Sequence, residues 1–167
     1  MFEVLNRYRD KNGDPAVLTV VGLVANPDLE RIKEDNFQQY YRKSINDTYR
    51  EYGYFDQINP LWKEGIKEGF FYPQFHGREH LQPSRLMKAI ASSPYEKIAA
   101  EHNGVPGVEL ARVKYRAAFD FYNPQEKKEI EEDLEEGLKE FEAVFGFKSI
   151  SFCASQGICG DHINPIL

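Results

Sequence analysis

Long apolar runs, cysteines and clustered positive charge are what this sequence lacks. No stretch of 18 apolar residues occurs in its 167 residues, so no segment reads as a membrane-spanning helix and a membrane is not an expected partner. The amino terminus, Met1-Phe2-Glu3-Val4-Leu5-Asn6-Arg7, has no apolar core of the kind a secretory signal needs. Only two cysteines are present, Cys153 and Cys159, and they do not form a C-x-x-C pair. Free thiols in a reducing compartment are expected from that, and with them a cytoplasmic location. Lys and Arg number 21 against 27 Asp and Glu, for a net charge of -6, and the basic residues form no stripe. A net negative surface repels phosphate backbones, so nucleic acid is not an expected partner.

What is there is an ordinary globular composition. Hydrophobic residues make up 41% and charged residues 29%, enough to bury a core without staples, and the length points to a single domain over residues 1–167. Ala16-Val17-Leu18-Thr19-Val20-Val21-Gly22-Leu23-Val24-Ala25 is a β-branched, nearly continuous apolar run. It predicts a central strand of a parallel sheet or barrel, buried on both faces. Helical spacing follows from Leu29 to Tyr49, with a break near Asp35-Asn36. Ile58, Leu61, Trp62 and Ile66 mark a short amphipathic helix, with Trp62 read as core. Residues 70–75 read as extended, and a helix begins near Pro83-Ser84, interrupted at Ser92-Ser93-Pro94. Residues 110–121 fit both periods, and the first half is read as helix. Asn123-Pro124 opens the clearest helix, which Gly146 stops; its acidic run reads as a solvated face. Residues 147–153 read as a strand. This alternation is that of an α/β fold.

One constellation carries chemistry: Phe75-His76-Gly77-Arg78-Glu79-His80-Leu81. Two imidazoles four residues apart can face the same way, which lets both reach one divalent metal at about 2.0–2.1 Å. The pair follows an extended segment and precedes a helix, and the carboxyl ends of strands are where α/β proteins bind ligands. The alternative for such spacing is a solvated pair at a surface turn. Arg78 and Glu79 are candidates to orient the histidines, since a metal-bound imidazole donates its other N–H to an acceptor. Near the carboxyl end, Cys153, Cys159 and His162 are a weaker metal candidate with no standard zinc spacing, and Asp161-His162 a candidate acid/base pair.

The stretches Trp62 to Gly69 and Pro73 to Leu81, with Val24-Ala25-Asn26-Pro27-Asp28 and Phe145-Gly146-Phe147-Lys148-Ser149, resemble bacterial polysaccharide (de)acetylases, which belong with the NodB-type carbohydrate deacetylases. The resemblance covers residues 14–151. It implies a distorted (β/α) barrel, and His76 and His80 fit the family's second motif, in which both histidines bind the metal. The usual Ser or Thr after the first histidine is Gly77 here. The implied cofactor is a divalent metal ion, zinc first, and the implied substrate an acetylated polysaccharide or oligosaccharide. The implied chemistry is metal-assisted hydrolysis: the ion polarises the acetyl carbonyl and activates water, a carboxylate takes the proton, and an acid protonates the leaving group.

The family's first motif, two aspartates at a strand end, has no match, because no Asp-Asp pair occurs in the sequence. Asp10 and Asp14 lie in a turn-rich loop and are not read as a general base, so no catalytic residue is assigned. A complete (β/α)₈ barrel takes about 250 residues, and a partial barrel is therefore expected here. Its uncovered sheet edges invite association, a homo-oligomer included. Two other functions compete: a catalytically inactive or truncated homologue that binds a glycan or a partner, and a helical interaction domain built around the acidic 126–145 helix.

Overall fold

Every second backbone group from Leu18 to Gly22 is committed to the segment 70–76. Leu18 N–H donates to the Phe70 carbonyl at 2.8 Å, Tyr72 N–H to Leu18 at 3.0 Å, Gln74 N–H to Val20 at 2.7 Å and His76 N–H to Gly22 at 3.0 Å. The molecule, a computed structural model, is described over residues 2–106 and 108–166. In chain order its elements are α1 (Phe2–Arg7), β1 (Val21–Gly22), β2 (Ala25–Pro27), α2 (Leu29–Glu34), β3 (Arg42–Ser44), α3 (Ile45–Glu51) and α4 (Phe55–Lys67). There follow β4 (Gln74–Phe75), α5 (Pro83–Ser92), α6 (Pro94–Glu101) and α7 (Pro124–Phe145), then two 3₁₀ turns at Ser155–Gly157 and Asp161–Ile163.

β1 and β4 are parallel, with Val21 opposite Gln74 and Gly22 opposite Phe75. Parallel bridges from Leu18 to Phe71 and from Phe75 to Phe152 lengthen and widen this ribbon. β2 and β3 form a separate antiparallel pair. The fold is mixed α/β, 48% helix and 10% strand, with no closed barrel among the described residues. No described helix is long and apolar enough to cross a membrane.

Helix ends follow their capping residues. The Asp28 side chain accepts from Arg31 N–H at the start of α2, Ser44 from Asp47 N–H at α3, Gln82 from Arg85 N–H at α5 and Asn123 from Glu126 N–H at α7. Gly146 closes α7 in the left-handed region at φ +83°. One core packs the parallel ribbon against α7 through Val24, Phe75, Ile130, Leu134 and Phe141. A second joins α2, α5 and α6 around Ile32, Leu86 and the fully buried Tyr115. Trp62 packs edge-on against Phe145 at 5.3 Å and tilted against Phe71 at 5.5 Å, in keeping with its reading as core.

Four expectations need correction. The apolar run 16–25 is not buried on both faces: residues 16–19 are exposed and Val21 is 48% exposed. No described segment pairs along the outer edge of β1, so that side faces solvent. The helical spacing of 29–49 resolves into α2 and α3 with β3 between them. The chain leaves α2 through two consecutive left-handed residues, Asn36 (φ 51°) and Phe37 (φ 59°), which no helix accommodates. Residues 110–121 hold no helix, because carboxylates claim their backbone donors: Glu96 accepts from Ala111 N–H and Glu109 from Arg116 N–H, each at 2.7 Å. The expected strand 147–153 contracts to the single bridge at Phe152.

Candidate metal centre at the strand ends

β4 delivers His76 to the carboxyl end of the parallel ribbon. Two backbone bonds fix it there: His76 N–H to the Gly22 carbonyl, and Cys153 N–H to the Phe75 carbonyl at 3.1 Å. The turn that follows needs Gly77. Its φ is +113°, and a Cβ at this position would stand 2.5 Å from the Phe119 ring. A side chain such as that of Ser or Thr therefore has no room at this position.

His76 Nδ1 lies 2.5 Å from the Cys153 carbonyl oxygen. A carbonyl only accepts, so Nδ1 carries the proton and the neutral ring leaves Nε2 bare. That bare nitrogen faces Nε2 of His80 at 2.7 Å, with the ring planes 63° apart. With that tautomer, His80 Nε2 is the nitrogen that donates a proton across this gap. Two nitrogens that share one cation at about 2.0–2.1 Å in tetrahedral or octahedral geometry stand about 2.9–3.4 Å apart, so the pair, at hydrogen-bond distance, would have to open by a few tenths of an ångström to take an ion between them. A backbone acceptor on the far nitrogen is the support that metal-bound imidazoles use. Burial pushes the His80 pKa below its usual value, and the charges of His76 and Arg116 push it the same way.

The residues between the histidines turn elsewhere. Neither Arg78 nor Glu79 bonds an imidazole; the acceptor that orients His76 is the Cys153 carbonyl. The Glu79 side chain is 1% exposed and accepts from Arg42 Nε at 2.5 Å and from the Tyr40 hydroxyl. Arg78 donates through Nε to Glu140 at 3.1 Å and through a terminal nitrogen to Asp133 at 3.1 Å. Asp133 also takes Arg42 at 2.7 Å. Burial raises the Glu79 and Asp133 pKa values, and the neighbouring guanidiniums only partly offset it. Burial works against the Arg78 charge, but Glu140 and Asp133 outweigh it and the guanidinium stays protonated.

This network corrects the reading of the α7 acidic run as one solvated face. Glu131, Glu132 and Glu136 do sit in helical pairs with Lys127, Lys128 and Lys139. Asp133 and Glu140, seven residues apart and so on one face, instead clamp the histidine loop. Sequence reasoning did not single out Tyr40, Arg42, Asp133 or Glu140. Only the i, i+7 spacing of the two carboxylates hinted that α7 has a second polar face.

The carboxyl-terminal candidates do not assemble. Cys153 and Cys159 are free and exposed. His162 packs its ring edge-on against Phe121 at 4.6 Å, and neither ring nitrogen is hydrogen-bonded to Asp161 or any other group. Among the described residues no three His, Cys, Asp or Glu side chains stand together as a ligand set; His76 and His80 meet without a third such side chain beside them. Comparison of the chain with protein-family models, curated proteins and solved structures returns no match.

Proposed function

We propose that His76 and His80 hold a divalent metal ion, zinc first, in a carbohydrate deacetylase-like hydrolase of partial (β/α)-barrel architecture acting on an acetylated polysaccharide or oligosaccharide. The observation that carries this reading is the convergence of the two Nε2 atoms at 2.7 Å, with His76 Nδ1 anchored on a backbone carbonyl. The place of the pair, at the carboxyl ends of parallel segments joined by helices, supports it. So does the sequence pattern from residue 62 to residue 81.

A metal bound here supplies Lewis-acid polarisation of an acetyl carbonyl and a more acidic water. The chain's own part is positional. Cys153 holds the His76 tautomer, Gly77 lets the turn close under Phe119, and Asp133 with Glu140 fixes Arg78 between the two ligands. Glu79 is not the base, since Tyr40 and Arg42 occupy both its oxygens.

The test is metal content by mass spectrometry on purified protein and on a His76→Ala, His80→Ala double variant, with acetate release from an acetylated oligosaccharide assayed beside it. Near one divalent ion per chain, lost in the variant, is expected, and so is metal-dependent acetate release. No bound metal after reconstitution would overturn the reading. Metal without acetate release would turn it toward a glycan- or partner-binding module.

A further inference from the structure

Along β1 the backbone ladder uses one side only. Leu18, Val20 and Gly22 bond to the segment 70–76, and Val21 sits opposite Gln74 without spending its own N–H or C=O. The N–H and C=O of Val17, Thr19 and Val21 therefore point to the outer edge, and none of them has a partner among the described residues. Ala16, one residue before this strip, is closed off by the Tyr8 carbonyl at 3.3 Å. Val17 is 57% exposed, Leu18 40% and Val21 48%, so the strip is bare of side-chain cover as well.

Such an edge is ordinarily blunted by a lysine, a proline or an inward-pointing charge. Pro15 to Pro27 is the longest stretch of the sequence without a charged side chain, and it holds no proline between its ends. In a chain with 29% charged residues and a net charge of -6, this strip is where a second copy can approach without setting like charges together. The edge is also complementary to itself. Two identical chains close into a dimer through a two-fold axis, which makes their edge strands antiparallel. With the axis at Thr19, the two Thr19 residues face each other and each Val17 faces a Val21. All three outward-pointing residues then exchange both backbone bonds, and β-branched side chains lie opposite one another.

We propose that the outer edge of β1 is a homodimer interface, in which residues 17–21 of two copies pair antiparallel about Thr19 and join the two parallel ribbons into one sheet. The pairing is independent of the metal reading, since the histidines begin beyond Gly22, at the carboxyl end of the ribbon. A single strand pair is small beside the about 1,200–2,000 Å² that stable complexes bury. The dimer therefore exchanges with monomer at micromolar concentrations.

The experiment is sedimentation velocity on the full chain between about 1 and 500 µM. A concentration-dependent shift from monomer to dimer is expected, without larger species, because a two-fold contact closes on itself. Added salt should tighten the dimer by screening the net charge of the two copies. Thr19→Lys and Thr19→Glu, each alone, set like charges face to face on the axis and should weaken the dimer about fivefold or more. An equal mixture of the two variants should restore it as a heterodimer, since the facing charges are then opposite. Only a contact in which position 19 meets itself gives that pattern, and a misfolded variant is not rescued by another. The His76→Ala, His80→Ala variant should dimerise like the parent. A monomer at every concentration, a dimer that salt weakens, assembly beyond a dimer, a Thr19→Lys dimer as tight as the parent's, or a mixture no tighter than either variant would each overturn the proposal.

Discussion

Both ring nitrogens of His162 are buried without a hydrogen-bond partner. Burial pushes the His162 pKa below its usual 6.5, and the Glu131 carboxylate opposes this only in part. The folded chain therefore resists a proton that the unfolded chain accepts. By linkage, the stability tied to this group is intact above about pH 6.5 and is lost as pH falls toward the lower folded value. His162→Phe should remove that loss and relieve the unpaired polar atoms. Thermal melts of both proteins between about pH 7.5 and 5.5 should show the variant gaining steadily on the parent as pH drops; a constant gap between the curves would refute this. Sequence spacing set His162 beside Asp161, Cys153 and Cys159 as chemistry. Only the fold reveals Phe121 as its neighbour, because that contact spans some forty residues of chain. His76 and His80 were legible for the opposite reason: four residues and one turn decide whether they meet.

Within α7, Gly137 poses a question of sign. Replacing a glycine inside a helix by alanine ordinarily gains about 1 kcal/mol. Here an added Cβ would stand 2.8 Å from the Phe75 ring, 3.0 Å from Arg78 Cβ and 3.3 Å from Arg78 Cα. The neighbours are the central strand and the backbone of the histidine loop, which cannot swing aside like a surface side chain. Overpacking of this kind costs about 1–3 kcal/mol, so the clash outweighs the propensity. Gly137→Ala should lower the melting temperature by several degrees, roughly 2–4 °C per kcal/mol, and a rise would show that the loop and β4 yield freely. The extent of α7 was readable because Asn123, Pro124 and Gly146 act on their own immediate backbone. The segment 110–121 was not, because the groups that deny it a helix, the Glu96 and Glu109 carboxylates, act through space. The closeness of α7 to β4 at Gly137 left no mark in periodicity.

At the scale of the molecule, the α/β character and the placing of the histidines at a strand end were legible, since both follow from local hydrophobic pattern. The extent of the sheet was not. The run 16–25 has the composition of a buried strand, yet Val17 and Val21 are 57% and 48% exposed. Apolar composition states what a segment can pack against, not whether a neighbour is there. The buried residues also fall into two separate cores, one on the parallel ribbon and α7 and one on α2, α5 and α6, a division that no one-dimensional pattern encodes.

Arg78 ties these parts together. Its carbonyl accepts both the Val24 and the Ala25 N–H, at 3.2 and 2.8 Å, while its side chain is held by α7. The chain leaving β1, the histidine loop and the long helix are thus linked through one residue and should open together. Amide hydrogen exchange should report this: the Val24 and Ala25 amides should exchange with the same opening free energy as the interior amides of α7, and Leu18 N–H, at the far end of the ribbon, faster. Asp133→Asn should reduce protection at Val24, Ala25 and α7 by one common factor; a change confined to α7 would break the unit apart. The consequence is positional. The place of both imidazoles is set by the long helix as much as by their own turn, so a substitution in α7 that touches neither ring should still move the pair.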